Sequence, residues 1–90
     1  MLKIKDNVDL HVLNDYDYTK CGGTGEYYCY YYYIKSFTTI LNTKKDILID
    51  GNSREILAFD YSLGRKRTKV KRKWIKDLIQ AGLVEKVGDK

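Results

Sequence analysis

Two periodicities divide the chain. Through the middle, apolar residues recur at every second position or in short runs between turn signals; near the end they recur at helical spacing. Six of the seven residues from Tyr27 to Tyr33 are tyrosine, a good strand former, and the run predicts a β-strand. Alternation sets Tyr28, Tyr30, Tyr32 and Ile34 on one face and Tyr27, Cys29, Tyr31 and Tyr33 on the other. "FTTILN" predicts a second strand, "TKK" a turn, "DILID" a third strand and "DGNS" a further turn. Upstream, the glycine-rich "GGTG" predicts a tight turn, which in a hairpin would bring Cys21 near Glu26 and Cys29 opposite Tyr18.

The flanks read less uniformly. "DNVDLHVLNDYDY" predicts a short helix capped by Asp6 or Asn7, with Val8, Val12 and Leu13 apolar, and a strand fits almost as well. "SREILAFDYSLG" suits either a fourth strand across "DGN" or a helix capped by Asn52, paired with Glu55 and stopped by Gly64. The strand is the reading carried forward. In "TKVKRKWIKDLIQAGLV", Val70, Trp74, Ile75, Leu78 and Ile79 share half of a helical circumference, and Lys69, Arg72, Lys73 and Lys76 take the rest. Thr68 is the predicted cap, and Gly82 the left-handed stop after which Leu83 folds back on Leu78. The sum is one domain, residues 1–90, of α+β class: a small antiparallel sheet of three or four strands, with a C-terminal amphipathic helix packed on one face through Val70, Trp74, Leu78 and Ile79.

Charge changes this picture from a fold into a surface. Residues 1–60 hold seven Lys and Arg against nine Asp and Glu, whereas residues 61–90 hold ten against three. "RKRTKVKRKWIK", residues 65–76, carries eight cations and no acid. Such a run suits an anionic partner, most often nucleic acid. Cations at a helix start oppose the macrodipole, and a bound phosphate would reverse that penalty. The expected contacts are Arg65, Lys66 and Arg67 as a loop clamp, and Lys69, Arg72, Lys73 and Lys76 as a helix face on DNA or RNA. No Asn or Gln stands among these charges to read adenine edges, so little sequence specificity is expected.

The tyrosines leave two uses open. An uncovered Tyr28, Tyr30 and Tyr32 face would serve as a stacking platform for unpaired bases or as an interface to a host or phage protein or a second copy of the chain. A covered face would be packing. Other chemistry is sparse. "GGTG" has no lysine and no strand-to-helix setting for a phosphate loop; two cysteines and the single His11 do not make a zinc spacing; no nucleophile motif is present. A non-enzymatic protein with neither metal nor cofactor is expected. No run of 18 apolar residues and no apolar leader core occurs, so a cytoplasmic protein with reduced cysteines and no membrane partner is expected.

Two resemblances add to this reading. "TKVKRKWIKDLIQAGLVEKV" resembles the recognition helix and first wing strand of winged helix-turn-helix DNA-binding proteins, which implies major-groove contacts for Lys69, Arg72, Lys73 and Lys76. "KIKDNVDL", the tyrosine strand, "ILNTKKDILID" and "DLIQAGLVEKV" are together similar to short uncharacterised proteins encoded by phages and integrated elements of low-GC bacteria. That similarity implies a phage-type accessory protein, to whose pattern "SLGRKRTKVKRK" is an addition.

Overall fold

Strand propensity governs more of the chain than the alternating segments alone suggest. The structure, a computed structural model, describes residues 1–22, 31–39, 43–61, 64 and 66–87. Strands β2 (Thr19–Gly22), β3 (Tyr31–Thr38), β4 (Lys44–Asp50), β5 (Ile56–Asp60) and β6 (Lys66–Thr68) follow one another as a five-stranded antiparallel meander. β1 (Leu2–Ile4) and β7 (Val84–Lys86) form a separate antiparallel pair, with Leu2 opposite Lys86 and Ile4 opposite Val84. A bridge between Lys3 and Glu55 and a 2.9 Å bond from the Ile4 N–H to the Arg54 carbonyl fasten this pair to the start of β5. Among the described residues no helix is long and apolar enough to cross a membrane.

This architecture overturns the expected α+β class. The described residues are mostly β, with seven strands in two sheets in place of one sheet of three or four. The long amphipathic helix is also absent. Lys66–Thr68, expected to lead into it, pairs instead with Ala58–Asp60 of β5. Helical structure begins with a 3-10 turn at Arg72–Ile75 and continues as α1 (Lys76–Gln80), only five residues long. An unpaired sheet edge offers a ladder of hydrogen bonds that a short exposed helical turn does not, and charged side chains suit an edge strand. Of the predicted apolar stripe, Ile75 and Leu78 are fully buried, Val70 and Trp74 are partly buried, and Ile79 is exposed. The helix stop lies where expected. Gly82 has φ +74°, its N–H donates to the Ile79 carbonyl, and the Leu83 N–H donates to the Leu78 carbonyl at 3.1 Å.

β4 is the centre of the sheet. Ile47 and Ile49 are fully buried on the core face, against Tyr33, Ile56 and Ala58 of the flanking strands and Ile4, Leu10, Leu13, Ile75 and Leu78 from above. The opposite face is buried as well: Leu48 lies between Ile34 and Leu57, and Asp46 accepts hydrogen bonds from the Ser36 and Tyr61 hydroxyls at 2.6 and 2.7 Å. Both carboxylate oxygens are therefore satisfied, as burial of a polar group requires.

Three local expectations change. Tyr31–Tyr33 and Phe37–Thr38 belong to one strand, β3, rather than two; the hydroxyls of Thr39 and Thr43, which follow β3 and precede β4, are 2.6 Å apart, and the "ILN" of the expected second strand lies outside the described residues. Lys44 and Lys45 of the supposed "TKK" turn belong to β4. Cys21 stands opposite Tyr32, not Glu26, because β2 pairs with β3 in the register that runs from Gly22 opposite Tyr31 to Thr19 opposite Ile34; Cys29 lies outside the described residues, and upstream of β2 Leu10–Tyr16 is a 3-10 helix. That helix is capped by Asp9, which accepts from the His11 N–H, and it buries Leu10 and Leu13. The ambiguous segment at 53–63 is a strand over Ile56–Asp60.

The "DGNS" turn is built by Asp50, whose Oδ1 accepts from the N–H groups of Asn52 and Ser53 at 2.7 and 2.9 Å. Gly51 is required there by close approach, since a Cβ would lie 2.5 Å from the Tyr31 carbonyl oxygen. Arg54 takes a left-handed φ of 66°, and its guanidinium donates to the carbonyls of Lys5 and Val8, tying the N-terminal segment to this hairpin.

Candidate nucleic-acid interface

The fastening of β1 to β5 leaves a fork. β5 pairs with β6 over Ala58–Asp60 and is bridged to β1 at Glu55, so Ile56 and Leu57 lie where the two neighbours part. The fork opens into a groove of about 880 Å³. Its apolar lining residues are Met1, Leu2, Ile56, Leu57 and Val70. Arg67, Thr68, Lys69, Lys71 and Arg72 line it where the chain runs through and beyond β6, and Lys86 of β7 lines it too. Among the described residues one carboxylate lines the groove, that of Glu55, whose Oε2 lies 3.2 Å from the Arg67 guanidinium.

The predicted basic set is thereby divided. Arg67, Lys69 and Arg72 come together in the groove. Lys73 and Lys76 lie in a separate shallow depression with Lys35, Trp74, Asp77 and Gln80. Lys66 is exposed at the edge of the sheet opposite Asp60, and Arg65 lies outside the described residues. The anticipated helix face of Lys69, Arg72, Lys73 and Lys76 does not form, because Lys69 precedes any helical structure and α1 begins only at Lys76. Lys71 and Lys86 were missed. Lys71 had no place in a face chosen by helical spacing, and Lys86 reaches the groove only through the pairing of β7 with β1.

Trp74 does not line the groove. Its ring packs against Phe37 with centroids 5.7 Å apart, and the ammonium groups of Lys45 and Lys71 lie 5.7 and 5.5 Å from its centre. Lys45 also pairs with Asp60 at 2.9 Å. In the depression beside Trp74, Lys35 pairs with Asp77 at 3.5 Å and stands 5.5 Å from the Tyr18 ring. The Tyr18 hydroxyl is buried without a hydrogen-bond partner among the described residues. Burial first, and the Asp77 charge second, push its phenol above the ordinary tyrosine range.

Of the tyrosine platform, Tyr28 and Tyr30 lie outside the described residues. Tyr32 is partly buried and shares its face with Ile34. The opposite face carries Tyr31 and Tyr33 into the core, their rings meeting edge to face at 6.3 Å. Among the described residues, no cluster of three His, Cys, Asp or Glu side chains is placed to hold a metal ion. No protein-family model, no curated protein and no solved structure matches the chain. The chemistry of the groove thus rests on its own residues.

Proposed function

We propose that the protein binds nucleic acid through the groove between β6 and the β1–β7 pair, with little sequence specificity. The observation that carries this reading is the convergence of Arg67, Lys69, Lys71, Arg72 and Lys86 on one recess whose only lining acid among the described residues, Glu55, is engaged by Arg67. Fixed cations around a recess attract a polyanion and release its condensed counterions on binding. Arginine and lysine reach phosphate oxygens, which positions a strand without reading its bases. Among the described residues the groove lining includes no Asn or Gln, the side chains best suited to adenine edges.

The test is anisotropy of labelled oligonucleotides across a salt series. About four phosphate contacts predict a log–log salt slope between roughly −2.8 for single strands and −3.6 for duplex. A Lys69→Gln, Arg72→Gln, Lys86→Gln triple variant is expected to lose at least about tenfold in affinity and to flatten the slope by roughly two units, with the thermal midpoint unchanged. Wild-type affinity in that variant would remove the groove from the account.

A further inference from the structure

We infer that Glu55 is an internal counterion of the groove, which occupies Arg67, leaves the other cations to the phosphates and so limits how tightly a polyanion is held. The inference rests on the nucleic-acid reading above and adds how the affinity of that same groove is set. Its first support is register. Arg67 stands opposite Phe59, and alternation puts Glu55, Leu57 and Phe59 on one face. The pairing of β6 with β5 stops at Ala58, and β1 meets the chain again only at Glu55. To come within 3.2 Å of the Glu55 carboxylate, the Arg67 side chain runs back along β5 past Leu57. The ion pair thus spans the part of β5 that these two neighbours leave unpaired.

The second support is charge. Among the described residues, Arg67 has a carboxylate partner, whereas Lys69, Lys71, Arg72 and Lys86 have none. The third support is the unequal burial of the pair. The Glu55 side chain is 26% exposed and that of Arg67 64%. A phosphate that drew Arg67 away would leave the more sheltered charge, the carboxylate, unpaired and beside a second anion, and a partly desolvated charge without a partner is costly. Lys69, Lys71, Arg72 and Lys86 carry no such penalty, so they take the phosphates and Arg67 stays with Glu55. The pair itself adds little to folding, because one partner is largely solvated. Its members can therefore be replaced to read binding without unfolding the protein.

The experiment titrates a labelled mixed-sequence oligonucleotide of about twelve nucleotides, alone and annealed to its complement, with the wild type, Glu55→Gln, Arg67→Gln and the double variant. Anisotropy is read across a salt series, and the intact fold of each protein is checked by thermal melting. Glu55→Gln frees Arg67 for one more phosphate. It is expected to bind about tenfold more tightly at about 50 mM salt and to steepen the log–log slope by roughly 0.7 for the single strand or 0.9 for the duplex. Arg67→Gln is expected to keep the wild-type slope, and the double variant to keep it too, since no guanidinium remains to be freed. Unchanged or weaker binding by Glu55→Gln would overturn the counterion role. So would an equal steepening when Glu55→Gln is added to Arg67→Gln, because Glu55 would then act on the polyanion without Arg67. In both cases the nucleic-acid reading stands if the Lys69→Gln, Arg72→Gln, Lys86→Gln triple variant loses affinity. Absence of binding by all four proteins at low salt would overturn the reading and the inference together.

Discussion

The central strand and the cationic edge strand of one sheet could hardly differ more. β4 is buried on both faces from Lys45 to Ile49, and even the charges within that stretch are absorbed, Asp46 by two hydroxyls and Lys45 by Asp60. β6 has three residues, two of them exposed cations, and a single neighbour in the sheet. Burial makes the first strand a source of stability, since each apolar side chain removed from water contributes roughly 1.5–3 kcal/mol. Exposure leaves the second free for the binding proposed above, since a solvated cation adds little to folding yet remains available to a polyanion. Position in the sheet sets this difference in burial.

The contrast breaks first at the centre. Ile47→Ala leaves a cavity in the core beside Ala58 and is expected to cost about 3–4 kcal/mol, against about 1 kcal/mol for Ile47→Val. Urea unfolding measures both, and oligonucleotide affinity of the folded fraction should not change. A loss of affinity in the conservative Val variant would show that core and groove are not separable. The groove substitutions are the next largest, acting on affinity alone. Tyr18→Phe should go in the opposite direction: removal of a buried hydroxyl without a partner among the described residues is expected to raise stability by about 1 kcal/mol, visible as a melting point higher by several degrees.

That substitution also carries a pH signature. The phenol titrates higher in the folded protein than in the unfolded chain, so its full contribution is present below about pH 10. Above that value the unfolded state releases the proton first, and stability falls with rising pH. Thermal melts from pH 8 to 11 should show this decline, and a shallower one in Tyr18→Phe. The smallest effect is expected from Lys73→Gln with Lys76→Gln, which empties the second depression of two cations and should weaken oligonucleotide binding by less than about threefold. A larger loss would extend the binding surface across Trp74.

What could be read directly from residues was whatever their immediate neighbours decide. "DGNS" is a turn because Asp50 bonds to the next N–H groups along the chain, and Gly82 stops the helix because its own φ permits it. Alternation put Tyr31 and Tyr33 together on one face, and the cationic run was visible as composition. Which tyrosine face is core was not legible, because the elements covering it, the 3-10 helix at Leu10–Tyr16 among them, are placed by long-range packing. Helical spacing at Val70, Trp74 and Leu78 extended on paper to Thr68, yet the free edge of β5 drew Lys66–Thr68 into the sheet. Half of the candidate site follows from the same cause. Arg67, Lys69 and Arg72 stand close together in the sequence, but Lys86 and Leu2 meet them through β1–β7 pairing, and Glu55 through its bridge to Lys3. By itself the sequence determined the local turns, the alternation and the charge. The meander's register, the edge that captured β6 and the closing of two distant ends around a groove were decided by tertiary structure, because hydrogen-bond pairing across a sheet depends on which edges remain unfilled.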